Sequence, residues 1–125
     1  MKGMRPITTY NVFQGSEAVA AGQAKTSVPI DLREIVQAGL FSIEYAITGD
    51  GTAKVEYTVC STRGGTYFTP TGGGGIAADL TKTSGNGAGV GGLDFTPEVY
   101  PFMKIVVTET GTANAIAATI MLNIQ

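Results

Sequence analysis

The stretch AITGDGTAKVEY, residues 46–57, sets Gly49-Asp50-Gly51 between two alternating apolar segments. Whether it is a ligand loop or a strand reversal decides the fold. Before it, Phe41, Ile43, Tyr45 and Ile47 alternate with Ser42, Glu44, Ala46 and Thr48. After it, Ala53, Val55, Tyr57 and Val59 alternate with Lys54, Glu56, Thr58 and Cys60. A period of two marks a strand with one buried face. A two-residue loop at Asp50-Gly51 would set Tyr45 opposite Glu56 and mix apolar with polar side chains. A three-residue loop over 49–51 pairs Ile47 with Ala53, Tyr45 with Val55, Ile43 with Tyr57 and Phe41 with Val59, all on one face. That loop joins a type I turn to a left-handed residue, where Gly51 costs least. As a calcium loop the stretch offers one carboxylate, Asp50, where the ion takes about six or more oxygens. As a nucleotide loop it lacks the glycine spacing and the following helix. The stretch reads as the turn of a β-hairpin.

A second alternation closes the chain. Met103, Ile105 and Val107 precede a Gly111-Thr112 turn, and Ile116, Ala118, Ile120, Leu122 and Ile124 follow it. A type II′ loop there would set Val107 against Ile116, Ile105 against Ala118 and Met103 against Ile120; a four-residue loop over 111–114 keeps the same faces. Val106 is apolar as well, which suggests a strand covered on both faces. Two hairpins, each apolar on one face, and no long amphipathic helix predict an all-β chain of six to eight strands. The expected fold is an antiparallel β-sandwich, with the jelly roll as one form of it.

The rest is less regular. Residues 1–26 are polar, without sustained period, and read as an extended N-terminal arm ahead of a sandwich domain over 27–125. SVPIDL (27–32) reads as a short strand held to an edge by Pro29, and REIVQAG (33–39) as one helical turn ending at Gly39. Residues 64–92 hold eleven of the eighteen glycines and read as surface loops around two short strands, TYFTP and IAADLTKT. Loops of this length in a small domain are commonly functional or mobile.

Composition narrows the function. A chain of 125 residues with 43% apolar residues is large enough for one domain with a core. Only 14% of residues are charged, so much of the surface must be Thr, Ser, Gly and Asn, or lie against other protein. A net charge of −2 with scattered lysines and arginines argues against a nucleic-acid partner. No stretch is long and apolar enough for a signal peptide or a membrane span, which makes synthesis in a cytoplasm the expectation.

No catalytic constellation emerges. Histidine is absent, which removes the Ser-His and Cys-His pairs, and the single Cys60 cannot build a zinc site or an internal disulfide. Glu44 and Glu56 are expected on the outward faces of neighbouring strands, with Lys54 beside them as ordinary surface charge. The tyrosines and phenylalanines could form a sugar-stacking platform, but tryptophan is absent and Tyr45 and Tyr57 belong to the core. The expectation is a protein that is not an enzyme, with no cofactor and no metal.

KTSVPIDLREIVQAGLFSIEYAITGDGTAKVEYTVCSTRGGTYFTP (25–70) and GLDFTPEVYPFMKIVVTETGTANAIAATIMLNIQ (92–125) carry, in order, S-x-x-I-D-L, G-x-F-S-I, G-D-G-T, S-x-x-G-x-x-F, P-F-M-K-I-x-x-T-E-T and L-x-I-Q. This series resembles a group of small virion structural proteins of tailed bacteriophages and prophages. It covers roughly residues 26–125 and departs at CSTRGGTYF and in the glycine tract after Thr71. The resemblance implies a β-sandwich capsid decoration or cement protein, located in the virion, that stabilises the assembled head. Its partners would be the major capsid protein and itself, as a homodimer or homotrimer. The alternative it implies is a tail or neck module binding a receptor or carbohydrate. On this reading the arm orders on contact with a neighbouring subunit. The expected contact residues are Ile7, Tyr10, Val12 and Phe13 of the arm, with Tyr67 and Phe68 beside the glycine loop.

Overall fold

A computed structural model describes residues 6–33 and 39–125. The expected helical turn over 33–39 and the first five residues of the arm fall mostly or wholly outside the described residues. Ten strands follow in chain order: β1 (Thr8–Asn11), β2 (Glu17–Val19), β3 (Ala24–Thr26), β4 (Ile30–Asp31), β5 (Phe41–Gly49), β6 (Ala53–Cys60), β7 (Gly75–Leu80), β8 (Val90–Phe95), β9 (Phe102–Glu109) and β10 (Ile116–Ile124). They form two antiparallel five-stranded sheets packed face to face, a β-sandwich. One sheet runs β1-β10-β5-β8, with β2 continuing β1 along β10; the other runs β3-β9-β6-β7, with β4 continuing β3 along β9.

The expected inner faces are the observed ones. Ile43, Ile47, Val55, Val59, Met103, Ile105, Val107, Ile120 and Leu122 are at most 1% exposed, and Tyr45 and Tyr57 are buried beside them. Burying each large aliphatic side chain contributes about 1.5–3 kcal/mol. Val106, expected to be covered, is only half-buried on the outer face. Phe102 is covered instead, with the Arg33 guanidinium 4.8 Å above its ring.

The expected pairing is not observed. β5 and β6 lie in different sheets, and so do β9 and β10. Tyr45 is paired with Ile120 and not with Val55; Val55 is paired with Val107. Residues 49–51 and 110–115 therefore form arches between the sheets, not hairpin turns. The alternation is satisfied either way, because an arch brings two inner faces face to face where a hairpin sets them side by side. Length does not separate the two: four residue steps from Gly49 to Ala53 reach about 13 Å, and packed sheets lie about 10 Å apart. Gly49, not Gly51, takes the left-handed conformation, at φ 91°. Gly51 is needed for space, since a Cβ there would lie 2.5 Å from the Asn114 carbonyl oxygen.

Glu109 holds this corner. Its carboxylate is 1% exposed and accepts four backbone N–H groups from three crossings. Oε1 accepts Gly22 at 2.9 Å and Thr112 at 2.7 Å; Oε2 accepts Thr52 at 2.9 Å and Gly111 at 2.7 Å. The Thr52 and Gly22 amides outweigh burial and hold the carboxyl at about 2.

The segment expected as an arm contributes β1, β2 and β3, so from Thr8 it is built into both sheets. β3 and β4 are joined across β9 by Ser27, a buried residue whose Oγ accepts Ile105 N–H at 3.0 Å and donates to the Val28 carbonyl at 2.9 Å.

Candidate functional site

The end of the sandwich opposite Glu109 concentrates exposed apolar side chains. Two loops build it, one following β6 and one joining β8 to β9. The first turns back on its own strand. Phe68 and Val59 exchange backbone hydrogen bonds of 3.0 and 3.1 Å, so the expected TYFTP strand is reduced to one bridge. The Tyr67 hydroxyl donates to the Arg63 carbonyl at 2.8 Å, and the Lys104 ammonium sits 4.3 Å above the Tyr67 ring. The Phe68 ring meets Tyr100 edge-on, with centroids 5.5 Å apart.

The second loop, TPEVYP (96–101), is bounded by Pro97 and Pro101. The Glu98 N–H donates to the Tyr57 hydroxyl at 3.1 Å, and its carboxylate accepts Gly72 N–H at 3.1 Å. Tyr57 is a core residue, so the loop is fastened to the interior. The result is Val99 presented 99% exposed, next in the chain to Tyr100, whose ring meets Phe68, itself 45% exposed. At the same end Ile7 and Leu40 are exposed over a groove of about 410 Å³ that reaches Phe41 and Phe95.

Of the contact residues expected from sequence, Tyr67, Phe68 and Ile7 stand at this end. Val12 is buried in the core, and Tyr10 and Phe13 pack partly buried against it. Val99 and Leu40 carry no expectation from sequence, and Tyr100 enters there only among the tyrosines considered for a sugar-stacking platform. The two prolines bracketing Glu98-Val99-Tyr100 are the signal in the sequence that marks the loop as stiff.

The chemistry considered from sequence is dispersed. Glu44 and Glu56 lie in different sheets on opposite outer faces, and Glu56 pairs with Lys54 at 3.3 Å. Asp50 is engaged by Lys82. Cys60 points to the outer face as expected, yet is buried because residues 61–65 fold over it. The Thr62 backbone amide is the main cause that lowers its thiol below the usual range. Among the described residues no group of three His, Cys, Asp or Glu could hold a metal ion.

No protein-family profile matches the chain, and no curated protein matches its sequence. A solved structure similar to it is Aeromonas hydrophila PliG, a periplasmic lysozyme inhibitor of g-type lysozyme. The TM-score is 0.48 at 11% identity, over 95% of this chain and 86% of that one. That similarity is too low to carry a function across. The resemblance to virion proteins stated above is corrected: no family profile and no curated protein supports it, and the structure named is that of an inhibitor. The expectations of a capsid decoration or cement role, of the tail or neck alternative, of capsid and self partners and of a virion location are withdrawn.

Proposed function

We propose that this protein is a non-enzymatic, protein-binding module that acts by contact through the end of the sandwich carrying Val99, Phe68 and Tyr100. The observation that supports this reading is Val99, a β-branched apolar side chain wholly in solvent on a loop tied to the core through Tyr57. A stiff loop binds without first being ordered, which removes a cost of roughly 0.5–1.5 kcal/mol per immobilised side chain. Contact hot spots are enriched in tyrosine, tryptophan and arginine, and Tyr100 stands next to Val99 in this loop. Tyr67, Lys104 and Ile7 form the rim of this surface in the proposal.

The test is site-specific photo-crosslinking in cells of the source organism. Benzoylphenylalanine is placed at Val99, at Phe68 and, as a control, at Thr119 on an outer sheet face. The expected result is one discrete adduct shared by Val99 and Phe68 and missing at Thr119. Phe68→Ala in the Val99-labelled protein should weaken that adduct without unfolding the sandwich. Identical adduct patterns at all three positions would overturn the proposal.

A further inference from the structure

β8 forms the edge of its sheet. The hydrogen bond from Ile47 N–H to the Gly89 carbonyl, 2.8 Å, sets which of its residues face inward along the ladder. By that parity Gly91 and Leu93 exchange bonds with Tyr45 and Ile43, and the N–H and C=O groups of Val90, Gly92 and Asp94 point away from the sheet. The preceding loop covers the first of these, with Asn86 N–H donating to the Val90 carbonyl at 2.9 Å. Gly92 and Asp94 have no such partner among the described residues.

Sheet edges are ordinarily blocked by proline, lysine or a bulge. β7, the corresponding edge of the other sheet, is irregular, with register shifts against β6 and Asp79 at φ 58°. β8, VGGLDF, has no proline, no lysine and an unbroken register with β5. Beside it, on the outer face, Gly92 leaves a trough of about 520 Å³ bordered by Glu44, Asp94, Ser42 and Asn123. Glu44 lies directly across from Gly92 in the ladder, and Asp94 across from Ser42. Neither carboxylate is in an ion pair among the described residues, and no lysine or arginine borders the trough.

We infer that β8 is a strand-addition site for an extended segment of a partner protein that carries Lys or Arg at alternate positions. Its backbone would pair with Gly92 and Asp94, and its cations would lie over the trough beside Glu44 and Asp94. A second copy of this chain fits poorly, because two β8 edges would bring the same carboxylates together. This inference stands on the edge geometry and does not depend on the Val99 surface.

The experiment uses the full chain at 0.15 M salt and three synthetic hexapeptides. One is acetyl-Lys-Val-Lys-Val-Lys-Val-amide, one has Glu in place of Lys, and one is the lysine peptide N-methylated at alternate backbone positions. Amide chemical shifts and hydrogen exchange are read by NMR. The lysine peptide is expected to shift and protect the Gly92 and Asp94 amides, with little effect on β7. N-methylation should weaken binding about tenfold or more through the lost backbone bonds. Glu44→Gln with Asp94→Asn should weaken it by roughly tenfold, and the Glu peptide should not bind. Equal binding of the N-methylated peptide, protection elsewhere, or dimerisation through β8 without peptide would each overturn the inference.

Discussion

Replacing Glu109 by Gln tests the corner that holds the two sheets in their observed pairing. The carboxylate accepts two backbone N–H groups on each oxygen, at 2.7 to 2.9 Å, from the loops around Gly22, Thr52 and Gly111-Thr112. Glutamine fits the same space but keeps one acceptor oxygen. Its NH2 group then faces two N–H donors in a site 1% exposed. Two buried donors lose their acceptor, for which an unfolding midpoint lowered on the order of 10–20 °C at pH 7 is expected. The pH dependence carries a sign. The folded carboxyl lies at about 2, below its ordinary 4.5, so the unfolded chain binds the extra proton between those values. The stabilisation is complete above pH 4.5 and is lost as pH falls towards 2. Asp31, held at about 2 chiefly by its hydrogen bond to the Arg33 side chain, titrates alike in both proteins and cancels in the difference. Thermal unfolding followed by circular dichroism from pH 7 to pH 2 should show the gap between wild type and Glu109→Gln narrowing in acid. A gap that stays constant across that range would refute the role given to Glu109.

Two further outcomes follow from the fold. Ser27→Ala removes the acceptor for the buried Ile105 N–H and should cost about 1–3 kcal/mol in a urea titration, with the slope unchanged. Tyr45 and Ile120 occupy a non-hydrogen-bonded pair of β5 and β10, so a strong Hα–Hα NOE should join them; one joining Tyr45 to Val55 instead would restore the hairpin and dismantle the sandwich as described.

The surface proposed for contact was only partly legible in the sequence. Tyr67 and Phe68 stood out as aromatics beside glycines, and the Phe68 ring packs edge-on against Tyr100 of the Val99 loop. Val12, equally apolar and in a segment with no period, turned out to be core. A short irregular segment carries no periodicity to say which of its side chains face in. Val99 was invisible for the converse reason. Its exposure depends on a hydrogen bond from Glu98 to Tyr57, forty-one residues away in the chain.

Alternation alone determined that the protein is all-β and which residues from Phe41 to Val59 and from Met103 to Ile124 face the interior, because a period of two assigns each side chain to one side of its strand. It left open which strand lies beside which. Arch and hairpin present the same apolar face, and a link of three residues reaches across either gap. Only the folded chain decides between them, by gathering the amides of three crossings onto the Glu109 carboxylate and by letting β10 and β9 lie against β5 and β6. That choice also makes β8 an edge and places Glu44 and Glu56 on opposite sides of the molecule.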